Sequence, residues 1–161
     1  KEIRRTLRIR ETDPMEIYTD MDGQIVLKKY SPMRDITAFA GEYAESMAAN
    51  TGMTVAITDR EQVIAAAGNE KKLIQGKQIS KELNIIMDER RSVAASLGEP
   101  SYVSVVPDYE CRQEAVSPII CAGDVLGTVI MLTADTGHKF TDGEKCIVKV
   151  AADFLGKHMA G

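Results

Sequence analysis

The sequence lacks the cysteine content that a disulfide framework or a structural zinc site requires. It has three cysteines in 161 residues and only two histidines that could join them as ligands. The cysteines, Cys111, Cys121 and Cys146, are widely spaced and form no C-x-x-C pair. An odd number at such spacing argues against both kinds of site. We therefore expect neither a metal nor another cofactor.

Long apolar runs are also missing. No stretch of 18 uninterrupted apolar residues could span a bilayer, and the basic start has no apolar segment typical of a secretory leader. Apolar residues nevertheless make up 44% of the chain, enough for the core of one or two small globular domains. We expect a cytoplasmic protein without a membrane partner.

Positive charge is concentrated at the start of the chain. The first ten residues hold five basic side chains and one glutamate, whereas the whole chain has a net charge of −4. An acidic protein with one basic segment suits an anionic partner that contacts only that segment. A solvated helix face is the alternative explanation for the same charges.

The basic segment has helical spacing. Ile3 and Leu7, four residues apart, would share one helix face, and the arginines between and after them spread over the opposite side. Guanidinium groups match phosphate oxygens and guanine edges, so a helix of this kind favours contact with nucleic acid.

A hairpin is predicted after this helix. Residues 15–19 and 24–30 have strand patterning, and Asp22-Gly23 between them tolerates the positive φ of a type I′ turn. One helix and one hairpin cannot bury enough apolar surface to be stable alone. We expect residues beyond this sequence, another subunit, or both, to complete the module.

From residue 31 onward the pattern predicts a helix, two strands, a helix, three strands and a helix. The expected strands lie at 53–58, 63–67, 102–106, 114–121 and 125–133. Helices are expected to begin after Ser31 and Ser80, ending at 50–52 and near residue 91. Thr141 and Glu144 form a capping box that begins the last helix. This order predicts an α+β domain with an antiparallel sheet covered by helices.

Two helical stripes have two interpretations, which the sequence leaves open. Both could pack on the sheet of their own domain, or both could join an intermolecular helix bundle. The stripe of the first helix contains Ile36, Phe39, Tyr43 and Met47. That of the last helix contains Ile147, Val150, Ala151, Phe154, Leu155 and His158. For His158 we expect a contact with the C-terminal helix dipole rather than a ligand role.

The opening residues resemble a known DNA-binding family. Residues 2–9 (EIRRTLRI), 13–18 (DPMEIY) and 25–30 (IVLKKY) resemble the AbrB-type swapped-hairpin domain. With Pro118-Ile119, Gly127 and the element order after Ser31, the whole chain resembles sporulation regulators that join this module to a GAF domain. The resemblance implies an α+β protein with a partial AbrB-like module at 1–30 and a GAF domain at 31–161, whose antiparallel sheet is flanked by helices.

The resemblance also implies a function. It implies sequence-specific binding to double-stranded DNA and control of sporulation genes, as activator or repressor, in the forespore nucleoid. The DNA-facing arginine pair of the family maps onto Arg4 and Arg5, with Lys1 and Arg8 as weaker candidates on the same helix. A hairpin-swapped dimer and a tetramer joined through the GAF helices are implied as well.

Two departures from the family pattern bear on these expectations. The family's first strand, loop and second strand are absent from these 161 residues, so we expect an incomplete DNA-binding surface. Thr12 stands where the family often has glycine, which makes the turn before Asp13 harder to form.

Three roles remain for the GAF part. It could bind a small-molecule effector between its sheet and residues 69–109, although no recognised ligand motif is present, or it could serve assembly alone. A GAF-fold methionine sulfoxide reductase is the third alternative, with Cys111 made reactive by Arg112. Cys121 and Cys146 are expected in the core. We favour the regulator and expect no enzyme activity.

Overall fold

The computed structural model of the protein describes Thr6 and residues 9–161, without the side chain of Arg34. The chain divides into two compact units, Lys1–Pro32 and Met33–Gly161. Among the described residues, no helix has the length and apolar character needed to cross a membrane.

The first unit contains the predicted hairpin. Strands β1 (Met15–Thr19) and β2 (Ile25–Lys29) pair antiparallel, with Ile17 opposite Leu27. The predicted type I′ turn is wrong, because only Gly23 of the Asp22-Gly23 pair has positive φ. The Asp20 carboxylate accepts hydrogen bonds from the backbone N–H groups of Asp22 and Gln24. That side chain therefore sets the turn, and a single left-handed glycine completes it.

The second unit is built on an antiparallel sheet, as predicted. Its described strands have the order β4-β3-β7-β6-β5. They are β3 (Thr54–Thr58), β4 (Val63–Ala67), β5 (Val93–Ser96), β6 (Gln113–Cys121) and β7 (Asp124–Thr133). Every neighbouring pair is antiparallel. Ala122 and Gly123, with φ of 50° and 90°, supply the two left-handed residues of a type I′ turn between β6 and β7.

Most helix boundaries follow local capping signals. The described helices are α1 (Pro32–Asp35), α2 (Thr37–Thr51), α3 (Lys71–Ile74), α4 (Lys81–Asp88) and α5 (Asp142–Met159). Gly52 ends α2 with φ of 70°, the Ser80 hydroxyl caps α4, and the predicted capping box begins α5. The predicted first helix is interrupted at Ile36, and α4 ends three residues earlier than expected.

The predicted strand at 102–106 is wrong. These residues belong to an irregular segment, 97–112. The strand that pairs with β6 at this edge of the sheet is instead β5, which the sequence pattern did not predict. Val103 N–H donates to the Glu114 carboxylate, and the Ser104 and Val105 carbonyls accept hydrogen bonds from Ser80. Because its backbone groups bind a helix cap and a side chain, the segment does not join a strand ladder.

Apolar cores lie on both faces of the sheet. On one face α2 and α5 pack, and that core includes Ala44, Val55, Met131 and Leu155. On the other face α4 and the irregular segment pack over residues that include Ala56, Leu83, Val106 and Ile130. Gly156 lets α5 approach β6 closely, since a Cβ atom there would overlap the Ile120 carbonyl oxygen.

Candidate functional site

The predicted DNA-binding residues, Lys1, Arg4, Arg5 and Arg8, lie outside the described residues, and their role stays a prediction. After these residues, Asp13 holds the backbone of the described chain in place. Its carboxylate accepts a hydrogen bond of 2.7 Å from Arg10 N–H and lies 3.1 Å from Lys29 Nζ. Burial alone would raise the pKa of Asp13, but the Arg10 and Lys29 contacts outweigh it and lower that pKa.

The turn before Asp13 forms despite the threonine that the resemblance marked as unfavourable. Thr12 has a φ of 72°, in the left-handed region that glycine adopts most easily. The backbone therefore makes this turn with some strain.

One face of the hairpin is apolar and exposed. The register places Ile17, Ile25 and Leu27 on the same face. Ile17 is 70% exposed and Ile25 is 74% exposed. An isolated two-stranded hairpin is marginal in water. The hairpin therefore presents an apolar surface to solvent that its own two strands do not cover.

The last helix has two apolar faces where one stripe was predicted. Ala151 and Leu155 pack on the sheet, whereas Val150 and Phe154 are 58% and 45% exposed. Ile147 is exposed on the same outer side. Part of the predicted stripe is therefore core, and the remainder is surface.

The outer side carries an aromatic cluster that joins α2 to α5. We call Phe39, Tyr43, Phe154 and His158 the aromatic face. The Phe39 ring stacks on His158 at 4.6 Å, and Tyr43 stacks on Phe154 at 5.7 Å, between centroids. Burial raises the pKa of Tyr43. His158 lies in the last turn, as the dipole expectation requires, but the ring stack was not foreseen.

A buried carboxyl lies on the opposite side of the sheet. Glu114 on β6 is completely inaccessible, and its Oε1 accepts a hydrogen bond of 2.7 Å from Val103 N–H. Its Oε2 has no hydrogen-bond partner within the described part of the chain. Burial raises the pKa of Glu114 to about 8, so the group is protonated at neutral pH. A glutamate in an otherwise apolar central strand was the signal that could have revealed it.

Cys111 is a buried thiol beside this carboxyl. Its Sγ donates to the Thr133 carbonyl at 2.8 Å, and its N–H donates to the Tyr102 hydroxyl at 2.8 Å. Burial raises the pKa of Cys111, which disfavours the thiolate that the reductase alternative requires.

The other cysteine placements also differ from expectation. Cys146 is exposed and Cys121 is half-buried, so neither is a core residue. Within Thr6 and 9–161, no group of three or more histidine, cysteine, aspartate or glutamate side chains is placed to hold a metal ion.

Comparison with known proteins supports the resemblance to sporulation regulators, whereas the AbrB-like module at 1–30 stays a prediction. Residues 35–160 match the family described as "Stage V sporulation protein T C-terminal, transcription factor". Over 159 residues the chain is 41% identical to stage V sporulation protein T of Bacillus subtilis (strain 168), covering 99% of this chain and 88% of that protein.

Solved structures show the fold of the second unit. A GAF domain of a phosphoenolpyruvate-protein phosphotransferase from Coxiella burnetii has a TM-score of 0.59 and 15% identity, covering 80% of this chain and 88% of that one. A type II free methionine-R-sulfoxide reductase from Thermoplasma acidophilum has a TM-score of 0.62 and 12% identity, covering 80% and 95%. At these identities the similarity concerns the fold alone, and it confirms the predicted α+β GAF architecture.

Proposed function

The chain belongs to the stage V sporulation protein T family of transcription factors, and from this membership we propose that it regulates sporulation genes by sequence-specific DNA binding. The observation that carries the proposal is the 41% identity along 99% of the chain, because it includes the basic segment and the hairpin as well as the GAF fold. We assign residues 1–30 to a partial AbrB-like module and 31–161 to the GAF domain. The family membership also favours a regulator over a reductase, in keeping with the buried thiol of Cys111.

DNA contact is assigned to the basic segment. Arg4 and Arg5 are proposed to face the duplex, with Lys1 and Arg8 adding phosphate contacts. Phosphate contacts supply affinity that falls with salt, whereas an arginine on a base edge adds about 1–3 kcal/mol of discrimination. As a transcription factor the protein is expected in the cytoplasm, at the forespore nucleoid during sporulation.

Self-association is assigned to the two exposed apolar surfaces. Two chains exchanging hairpins would cover the face that holds Ile17, Ile25 and Leu27. The aromatic face would pair GAF domains through α5, because Phe154 is 45% exposed and stacks on the half-buried Tyr43 ring of α2, as His158 does on Phe39. The two contacts together generate a tetramer.

The GAF domain is proposed to sense a small-molecule effector in addition to its role in assembly. The unpartnered and fully buried Oε2 of Glu114 supports this, because buried polar atoms are otherwise satisfied in folded proteins. The irregular segment 97–112 binds the other oxygen of this carboxyl through Val103 N–H, and long irregular segments within compact domains are usually functional.

DNA binding is tested by a gel-shift assay with the full-length protein and duplexes selected from a random-sequence pool. Arg4→Ala with Arg5→Ala is expected to abolish specific binding and to leave the oligomer unchanged. Arg91→Ala is the matched control, since this arginine pairs with Glu89 on the second unit. Unchanged affinity of the double variant would refute the assignment.

A further inference from the structure

A cavity of about 200 Å³ opens between the edge of the sheet and α5. It exists because β5 is the edge strand, while α5 packs on β6 and β7. The residues under it are small: Ser92 directly before β5, Ala94 on β5 and Ser117 on β6. No large side chain therefore fills the space beside the helix.

The wall formed by α5 is positively charged. Lys145, Val148 and Lys149 line the cavity at helical spacing, which places both ammonium groups on one side of the helix. Among the described residues that line it there is no carboxylate, although the chain as a whole has a net charge of −4. The cavity is thus locally positive, whereas the protein as a whole is negative.

These lysines are only weakly neutralised. Lys145 Nζ lies 4.0 Å from Asp142 Oδ1, and Asp142 is fully exposed, so this pair is weak. Lys145 also lies one turn from the N-terminus of α5, where the helix dipole disfavours a cation. Helix stability does not explain a lysine at this position.

The floor of the cavity supplies hydroxyl donors. Ser92 Oγ lies 3.0 Å from Ser117 Oγ, so one hydroxyl hydrogen is shared between them. The other hydroxyl hydrogen remains to be donated elsewhere. The cavity therefore suits a ligand that carries an oxyanion on a short apolar group. The two ammonium groups and the spare O–H donor would bind the oxyanion, and the side chain of Val148 would contact the apolar group. The volume suits a small metabolite, because it equals that of several water molecules at about 30 Å³ each.

We propose that this cavity binds a small molecule through its carboxylate or phosphate group. The site is separate from Glu114, which points to the other face of the sheet. Because α5 carries both the cavity lysines and half of the aromatic face, an anion bound here acts on the same helix that is proposed to join GAF domains.

Titration of the full-length protein with sodium phosphate and with sodium succinate, at constant ionic strength, tests the site. The readout is the amide resonances of Ser92 and Ser117, with calorimetry for affinity. Saturable binding of either anion is expected, and Lys145→Gln with Lys149→Gln should weaken it at least tenfold. Ala94→Leu should block it as well, because the larger side chain enters the cavity and no charge is removed. Lys157→Gln, on the same helix but outside the cavity, is the control and should bind as the wild type does.

The two anions distinguish the source of the oxyanion. Binding of phosphate alone indicates that the natural ligand is a phosphate ester, and binding of succinate alone indicates a carboxylic acid. Binding of both indicates that the site recognises either oxyanion. The proposal is overturned if neither anion shifts the two serine amides, or if the lysine double variant, folded by circular dichroism, binds like the wild type.

Discussion

At the scale of single residues, Glu114 is the group that most affects the energetics of the fold. In the unfolded chain a glutamate is ionised at neutral pH, whereas burial raises the pKa of Glu114 to about 8 in the folded protein. Folding at pH 7 therefore takes up a proton. The contribution of this group to stability is complete below the unfolded pKa and is lost as the pH rises toward 8.

Glu114→Gln is expected to abolish a loss of stability of about 3 kcal/mol that the wild type shows between pH 5 and pH 8, because the glutamine needs no proton and keeps an acceptor for Val103 N–H. Urea unfolding between pH 5 and pH 8 measures the effect. The wild type should lose stability across this window, and the variant should show a flatter profile. Glu45→Gln, at an exposed position of α2, should keep the slope of the wild type. Equal slopes for the wild type and Glu114→Gln would contradict a buried neutral carboxyl.

At the scale of secondary-structure elements, α5 carries the exposed part of the interface that we propose between GAF domains. Fully burying a phenylalanine contributes about 1.5–3 kcal/mol. Phe154 is 45% exposed, so covering the remainder in both subunits of a two-fold contact contributes about as much, and 1.4 kcal/mol corresponds to a factor of ten in affinity. Phe154→Ser should therefore weaken association of the GAF domains at least tenfold and leave the fold intact, since the ring is not part of the buried core. Sedimentation equilibrium measures this. Asp153→Ala, the preceding exposed residue, is the control, and a variant Phe154→Ser with the wild-type mass would exclude the aromatic face as an interface.

Element boundaries were predictable where a side chain acts on its own backbone. Ser80 and Thr141 accept hydrogen bonds from backbone N–H groups three residues further on, so short sequence motifs located the starts of α4 and α5. The segment at 102–106 was mispredicted because its partners, Ser80 and Glu114, are distant in sequence. Alternating apolar residues there fill a core without entering the sheet.

Candidate sites were harder to predict than elements. The helical period showed that α5 is apolar, but it could not separate Leu155 in the core from Phe154 at the surface, because adjacent positions lie only about 100° apart. The reactivity of Cys111 could not be decided from the sequence for a related reason. Its neighbour Arg112 is close in sequence, whereas burial, which sets its pKa, arises from tertiary packing.

At the scale of the whole molecule, the two proposed contacts can be tested separately. Ile17→Lys with Leu27→Lys should disrupt the hairpin exchange, and Phe154→Ser should disrupt pairing of the GAF domains. Each change alone is expected to reduce the tetramer to a dimer, and the combination should yield monomers, as measured by light scattering. Effects at well-separated sites combine independently, so the combined variant serves as an internal check. A tetramer that survives the combined changes would place the interfaces elsewhere.

The second apolar face of α5 has a consequence for the amount of regulator in the cell. A subunit without a partner exposes aromatic rings, and exposed apolar surface is what quality-control proteases and chaperones recognise. Assembly depends on concentration, so dilute subunits are removed faster than concentrated ones. Under the proposed pairing of GAF domains, the lifetime of the protein would rise with its abundance, and regulation would begin at a threshold of synthesis rather than in proportion to it.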